Sequence, residues 1–132
     1  ERAAKYLEVR IADVGPMSLQ AAKPQPISSV CAVLAETEII NHISEGASVE
    51  NILRGIHDSL ADRSLLLLKR VGLDGEVTLI GGVALQEGMI ASLRDKLGVT
   101  VNVPKEPHLT AALGAALLGL QRYRKLVTAA AA

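Results

Sequence analysis

Residues 77–103 constrain this chain more than any other stretch. A short β-rich run, Val77-Thr78-Leu79-Ile80, ends in Gly81-Gly82 and passes into a helical pattern carrying Leu85, Met89, Leu93 and Leu97; after Gly98 a second run covers 99–103. Strand, helical crossover and strand at this spacing form a parallel pair with a right-handed connection. Two such strands leave both sheet edges open and cover little apolar surface. The expected fold is therefore α/β and helix-rich, with a short parallel strand pair completed by strands from elsewhere.

The remainder reads as helix. Ala4, Leu7, Ile11 and Val14 recur at helical spacing, which predicts a first helix over 2–14, stopped by Gly15-Pro16 because proline cannot continue it. Lys23-Pro24-Gln25-Pro26 predicts an extended segment. Ser28 and Ser29 offer caps for a second helix over 30–44, terminated by Gly46. Ser48 caps a longer one in which Ile52, Leu53, Ile56, Leu60, Leu67 and Val71 recur, closed by Gly72. Beyond Pro104 and Pro107 a last helix is expected over 109–126.

Composition narrows the function classes. A chain of 132 residues, 49% of them hydrophobic, supports one core, and residues 1–132 are expected to form a single domain. Fourteen basic residues balance fourteen acidic ones, which leaves no basic field to recruit nucleic acid. Tyr6 and Tyr123 are the sole aromatic residues, so the stacking platforms of single-strand binders are missing as well. Cys31 is the one cysteine, and neither a secretory leader nor an apolar run of about 20 residues is present. A reducing, cytoplasmic setting without a membrane partner is the expectation. The helical pattern begins at Glu1 with no initiator Met, so the chain reads as a section of something longer.

Three local features could carry chemistry. At Gly81-Gly82 a buried strand meets a helix through backbone that lacks Cβ atoms, which lets a ligand approach closely, and a helix N-terminus beyond it attracts polar or negative groups. The spacing fits neither the dinucleotide GxGxxG nor a phosphate loop, and a tight strand-to-helix turn is the plain alternative. Gly114 lies in Ala111-Ala112-Leu113-Gly114-Ala115-Ala116, where glycine inside a helix costs about 1 kcal/mol relative to alanine and implies close packing on a backbone or a ligand. Cys31 sits near a helix start, whose dipole favours the metal-ligating thiolate, although a lone cysteine is more often a small buried hydrophobe. His42, His57 and His108 show no metal-site spacing, Glu36 and Glu38 face different sides of their helix, and Asp58, Asp62 and Arg63 read as a solvated face.

Two stretches together carry a resemblance: Pro26-Ile27-Ser28-Ser29-Val30-Cys31-Ala32-Val33-Leu34-Ala35-Glu36-Thr37-Glu38-Ile39-Ile40, and the run from Val77 to Gly88 with its Gly81-Gly82-Val83-Ala84. They resemble the ATPase family of benzoyl-CoA reductase ATP-binding subunits and 2-hydroxyacyl-CoA dehydratase activators; Gly55-Ile56-His57-Asp58-Ser59-Leu60-Ala61 and the Gly114 helix extend the likeness along nearly the whole chain. The resemblance implies the C-terminal part of an actin-like, ribonuclease H-like ATPase lobe. It implies ATP or ADP with Mg2+, with Gly81, Gly82 and Val83 beside the adenosine and Gly114 packed near it. Cys31 matches one of two cysteines per subunit that ligate a [4Fe-4S] cluster shared across a homodimer; the family's second cysteine and phosphate-binding lobe have no counterpart here. ATP hydrolysis would then drive low-potential electron transfer from a donor such as ferredoxin, through a homodimer or paralogous ATPase pair, to a CoA-ester reductase or dehydratase, the benzoyl-CoA reductase branch being the closer. The competing readings are a redox-inactive nucleotide-binding module of an actin-like kinase or chaperone relative, and a folded fragment without activity.

Overall fold

A computed structural model of the chain describes residues 2–28 and 31–130. Its spine is the helix that the Ser48 and Gly72 signals delimit. Ser48 Oγ accepts the Asn51 amide, Glu50 lies in the first turn and Lys69 and Arg70 in the last, each complementing the helix dipole. In chain order the elements are α1 (Arg2–Tyr6), α2 (Ile11–Ser18), α3 (Ala32–Ser44), α4 (Val49–Val71), β1 (Glu76–Thr78), a 3-10 turn (Gly82–Leu85), α5 (Glu87–Leu97), β2 (Thr100–Asn102) and α6 (Thr110–Ala130). The strands pair in parallel with Val77 opposite Val101, as the crossover requires, and each is shorter than its β-rich run.

Helix α4 runs through two apolar clusters. Its first half supplies Ile52 and Leu53, packed with Leu7, just after α1, and Ile39 of α3; its second half supplies Ala61, packed with Met89, Leu93 and Leu97 of α5 and Val101 of β2. Polar groups tie α4 to α5 along one side. Arg54 Nε lies 2.9 Å from Asp58 Oδ1 while its Nη2 reaches Asp95, Ser92 Oγ donates to Asp58 Oδ1 at 2.7 Å, and Lys96 Nζ meets the Asp62 carboxylate at 2.9 Å. The expectation that Asp58 and Asp62 form a merely solvated face is thus corrected: both fasten α4 to its neighbour. Outside these clusters α6 leaves Leu113, Leu117, Leu118, Tyr123 and Leu126 exposed.

The N-terminal region departs from the single helix expected over 2–14. Helix α1 closes in a Schellman motif: the Val9 amide donates to Ala4 O at 2.9 Å and the Glu8 amide to Lys5 O at 3.3 Å, with Glu8 at φ 55°. The chain restarts as α2, and Pro16 lies inside it, two residues before its end, so the missing amide removes one intrahelical bond without blocking packing of Val14 and Met17 on the first cluster. The same motif ends α3 with the usual residue, Gly46 at φ 78°. Replacing Glu8 with glycine is therefore expected to stabilise the chain by about 0.5–1 kcal/mol, read as a rise in the urea midpoint. An unchanged or lower midpoint would count against strain at Glu8. Ser29 and Val30, placed at the start of α3 by the sequence, lie outside the described residues, and Cys31 occupies the N-cap.

Candidate functional site

After β1 the Leu79 amide donates to Asn102 O at 2.9 Å, and the Gly81 amide donates to Pro107 O at 2.8 Å. Gly81 takes φ 90°, where a side chain would be strained, and so turns the chain into the 3-10 segment that leads to α5. Gly82 carries no such constraint. A Cβ there would meet nothing within 4 Å, so space opens in front of its backbone. Leu85, read from the sequence as part of α5, belongs to the 3-10 turn, and α5 begins at Glu87.

Beneath this turn three helices meet at small residues. Cβ atoms added to Gly88 would come within 1.8 Å of Ser18 Oγ and 2.5 Å of His57 Nδ1, and one on Gly15 would lie 3.0 Å from the Glu87 amide. Gln86 Nε2 also donates to Ile11 O at 3.2 Å, which anchors the turn to α2. Ser18 Oγ donates its single proton to Gly15 O at 2.8 Å, so the 3.0 Å contact with His57 requires Nδ1–H of the ring to be the donor. Burial, aided by Arg54 and opposed by Asp58, lowers the His57 pKa to about 4 and keeps the ring neutral.

A cavity of about 480 Å³ lies between this junction and the turn. Gly82, Val83 and Gln86 form one side, Leu53, Ile56, His57 and Leu60 of α4 the other, and Ala3, Ala4, Ile11 and Val14 complete it. The structure therefore brings Gly82 and Val83 together with His57, which sequence reasoning had set aside. Gly81 shapes the turn without lining the cavity; Gly114 does not line it either, and a Cβ on Gly114 would meet nothing within 4 Å.

Cys31 lies apart from this cavity, exposed, at the N-terminus of α3. The Leu34 and Val33 amides lower its thiol pKa, against opposing contributions from burial and Glu36, although no cap hydrogen bond to the sulfur is formed. The segment leading to it is strapped across α4. The Lys23 amide donates to Asn51 Oδ1 at 2.9 Å, the Gln25 amide to Asn51 O at 3.0 Å, and Gly55 leaves room for the Gln25 carbonyl. On the α3 side His42 Nε2 donates to Pro26 O at 3.0 Å and the Ser28 amide to the Glu38 carboxylate. Glu36 points the other way, 2.8 Å from Arg2 and within reach of the Tyr6 hydroxyl. A second cavity of about 290 Å³ adjoins Cys31, with Ile27, Ala35, Glu36 and Arg63 among its walls.

Residues 1–119 match the model of the BadF/BadG/BcrA/BcrD ATPase family. The chain belongs to this family. It is 45% identical, over 96% of its length, to a benzoyl-CoA reductase subunit of Thauera aromatica, and 42% identical, over 92%, to the 2-hydroxyisocaproyl-CoA dehydratase activator of Clostridioides difficile. It covers 47% and 46% of those two proteins, so it spans about half the length of the curated relatives it matches. The solved activator of the 2-hydroxyisocaproyl-CoA dehydratase from Clostridium difficile with bound ADPNP matches with a TM-score of 0.87 at 38% identity, over 96% of this chain and 47% of that one. Component A of the Acidaminococcus fermentans (R)-2-hydroxyglutaryl-CoA dehydratase matches with a TM-score of 0.83 at 38% identity, over 88% and 45%. The fold of this ATPase-family chain is thus the helix-rich, actin-like α/β arrangement that the resemblance implied. Among the described residues no helix is long and apolar enough to cross a membrane.

Proposed function

We propose that this chain supplies the adenosine-binding part of a cytoplasmic ATP-binding subunit that couples ATP hydrolysis to low-potential electron transfer toward a CoA-ester reductase or dehydratase. The cavity at Gly82 and Val83 carries this reading. Its walls are largely apolar, they contain no lysine or arginine, and their one titratable group is the neutral His57. Such a box suits a flat base and its sugar, whereas phosphates and Mg2+ need charged partners that these walls do not provide. Residues 1–132 would then act as one domain beside a phosphate-binding portion, with Gly81 setting the turn.

Cys31 is the described residue that suits a [4Fe-4S] cluster, being exposed, drawn toward thiolate and placed at a helix N-terminus. Among the described residues no group of three or more His, Cys, Asp or Glu converges, so the other ligands would come from elsewhere in the subunit and from a homodimeric or paralogous partner. When bound, the cluster would supply a one-electron carrier between a ferredoxin-like donor and the CoA-ester enzyme. The strap over α4 and the Glu38 contact would fix where the thiolate is presented.

The test uses the full protein, prepared without oxygen. Gly82→Val should weaken binding of a non-hydrolysable ATP analogue about tenfold or more without changing the circular dichroism, because a Cβ at this position meets no side chain or neighbouring segment within 4 Å and the added group faces the cavity. Cys31→Ser should lose iron and acid-labile sulfide. Unaltered affinity in the first variant would remove the base from this cavity; unaltered iron in the second would remove Cys31 from the cluster, and no iron in either protein would favour a nucleotide module without redox chemistry.

A further inference from the structure

His57 meets the cavity at Gly82 with one ring nitrogen already committed. Ser18 Oγ gives its proton to Gly15 O, so the ring donates from Nδ1–H, and Nε2 of the neutral imidazole is left with a bare lone pair. Among the described residues no group donates to that lone pair, and Nε2 is not sealed in the interior as the Gln86 carboxamide oxygen is. The residue as a whole is 5% exposed, so the surface that Nε2 retains opens on the cavity His57 lines. Ser18 and Gly88 hold the ring from its Nδ1 side, where a Cβ on Gly88 would come within 2.5 Å of Nδ1 and 2.7 Å of Cε1. The tautomer and the direction of the lone pair are therefore fixed before any ligand arrives.

The cavity deepens from Val83, 54% exposed, toward Leu53, 1% exposed, and His57. Its walls hold no lysine or arginine to receive phosphates, so a nucleotide must enter base first, and a base edge rather than the sugar reaches Nε2. We propose that His57 Nε2 accepts a hydrogen bond from the exocyclic amino group of adenine and so selects an amino purine. The inference rests on the nucleotide reading of this cavity and adds the group that recognises the base. A purine that lacks the donor displaces water from a buried acceptor and returns nothing to it, which is the most discriminating arrangement a polar contact offers.

Calorimetry on the full protein compares ADP with purine riboside diphosphate, which differs only in lacking the exocyclic amino group. The wild type should bind ADP about tenfold or more tighter. His57→Leu, with no acceptor left to satisfy, should bind the two within about twofold of each other, whereas a merely structural role for His57 would weaken both and preserve their ratio. Nitrogen NMR of histidine-labelled wild type supplies a reading that needs no variant: the His57 Nε2 resonance should move with ADP and stay in place with the analogue. Equal wild-type affinities, an unmoved Nε2 resonance with ADP bound, or an undiminished preference in folded His57→Leu overturns the proposal and leaves the nucleotide reading intact. Binding of neither ligand, or Gly82→Val without effect on either, overturns both.

Discussion

Gly55→Ala should cost this chain on the order of 3 kcal/mol or more, measured as a fall in the urea midpoint. The new Cβ would stand 1.8 Å from the Gln25 carbonyl oxygen, 2.9 Å from its carbon and 3.2 Å from Ile27 Cγ1, and two of these are backbone atoms that no rotamer change can move. The strap has nowhere to retreat, since the Lys23 and Gln25 amides hold it to Asn51 and His42 holds the Pro26 carbonyl from the α3 side. Lifting it breaks those bonds; keeping it bends α4 across its buried residues Ile52 and Leu53. Gly114→Ala is the matched control. No atom lies within 4 Å of its added Cβ, it sits in the interior of α6, and it should gain up to about 1 kcal/mol from helix propensity. Equal effects of the two substitutions would contradict the packing described for the strap.

A second large effect should appear as a dependence of stability on pH. His57 is 5% exposed and its pKa is lowered from 6.5 to about 4, chiefly by burial. In the unfolded chain the ring takes up a proton below pH 6.5, while in the folded chain it stays neutral until about 4, so the unfolded state binds more protons in that window and acidification favours it. Stability from this group is therefore intact above pH 6.5, falls as pH drops from 6.5 toward 4, and is level below. The full difference is on the order of 3 kcal/mol, of which about 2 kcal/mol should be lost by about pH 5, before most carboxylates titrate. Urea unfolding at about pH 7 and about pH 5 measures it, and His57→Gln should flatten most of the slope. A wild-type midpoint equal at both pH values would rule out the buried neutral ring.

Much of the scaffold was legible because it follows from short-range chemistry. Ser48 and Gly72 delimit α4, Gly46 ends α3, and the two β-rich runs around α5 announce a parallel pair. The break between α1 and α2 was not legible, since Glu8 stands where a glycine would have signalled the left-handed residue and Ala4, Leu7, Ile11 and Val14 keep helical spacing across it. Pro16 then misled: it lies near the end of a helix that starts at Ile11, not at the end of one that starts at Arg2. At the candidate site, the turn was legible from the Gly81-Gly82 pair, whereas Val83 and the cluster reading of Cys31 are implied by the family resemblance alone. The His57, Ser18 and Gly88 junction was not legible, because its hydrogen bond joins residues 39 apart in sequence and its glycine is explained only by what lies opposite. Asp58 and Asp62 were misassigned for the same reason, as their partners Ser92 and Lys96 are on another helix.

The parallel register of β1 and β2 gives the sheet two unequal ends. The turn at Gly81 and the loop at 103–109 leave from the same end and are joined by the Gly81 amide and Pro107 carbonyl. The opposite end carries only the turns that enter the strands, near Gly75 and Gly98. Insertions near Gly75 can accumulate without reaching the candidate site, whereas one near Pro107 pulls on the Gly81 backbone directly. Variation in the length of that second loop is thus a handle on the Gly81 turn, available to an engineer who wishes to leave both apolar clusters untouched.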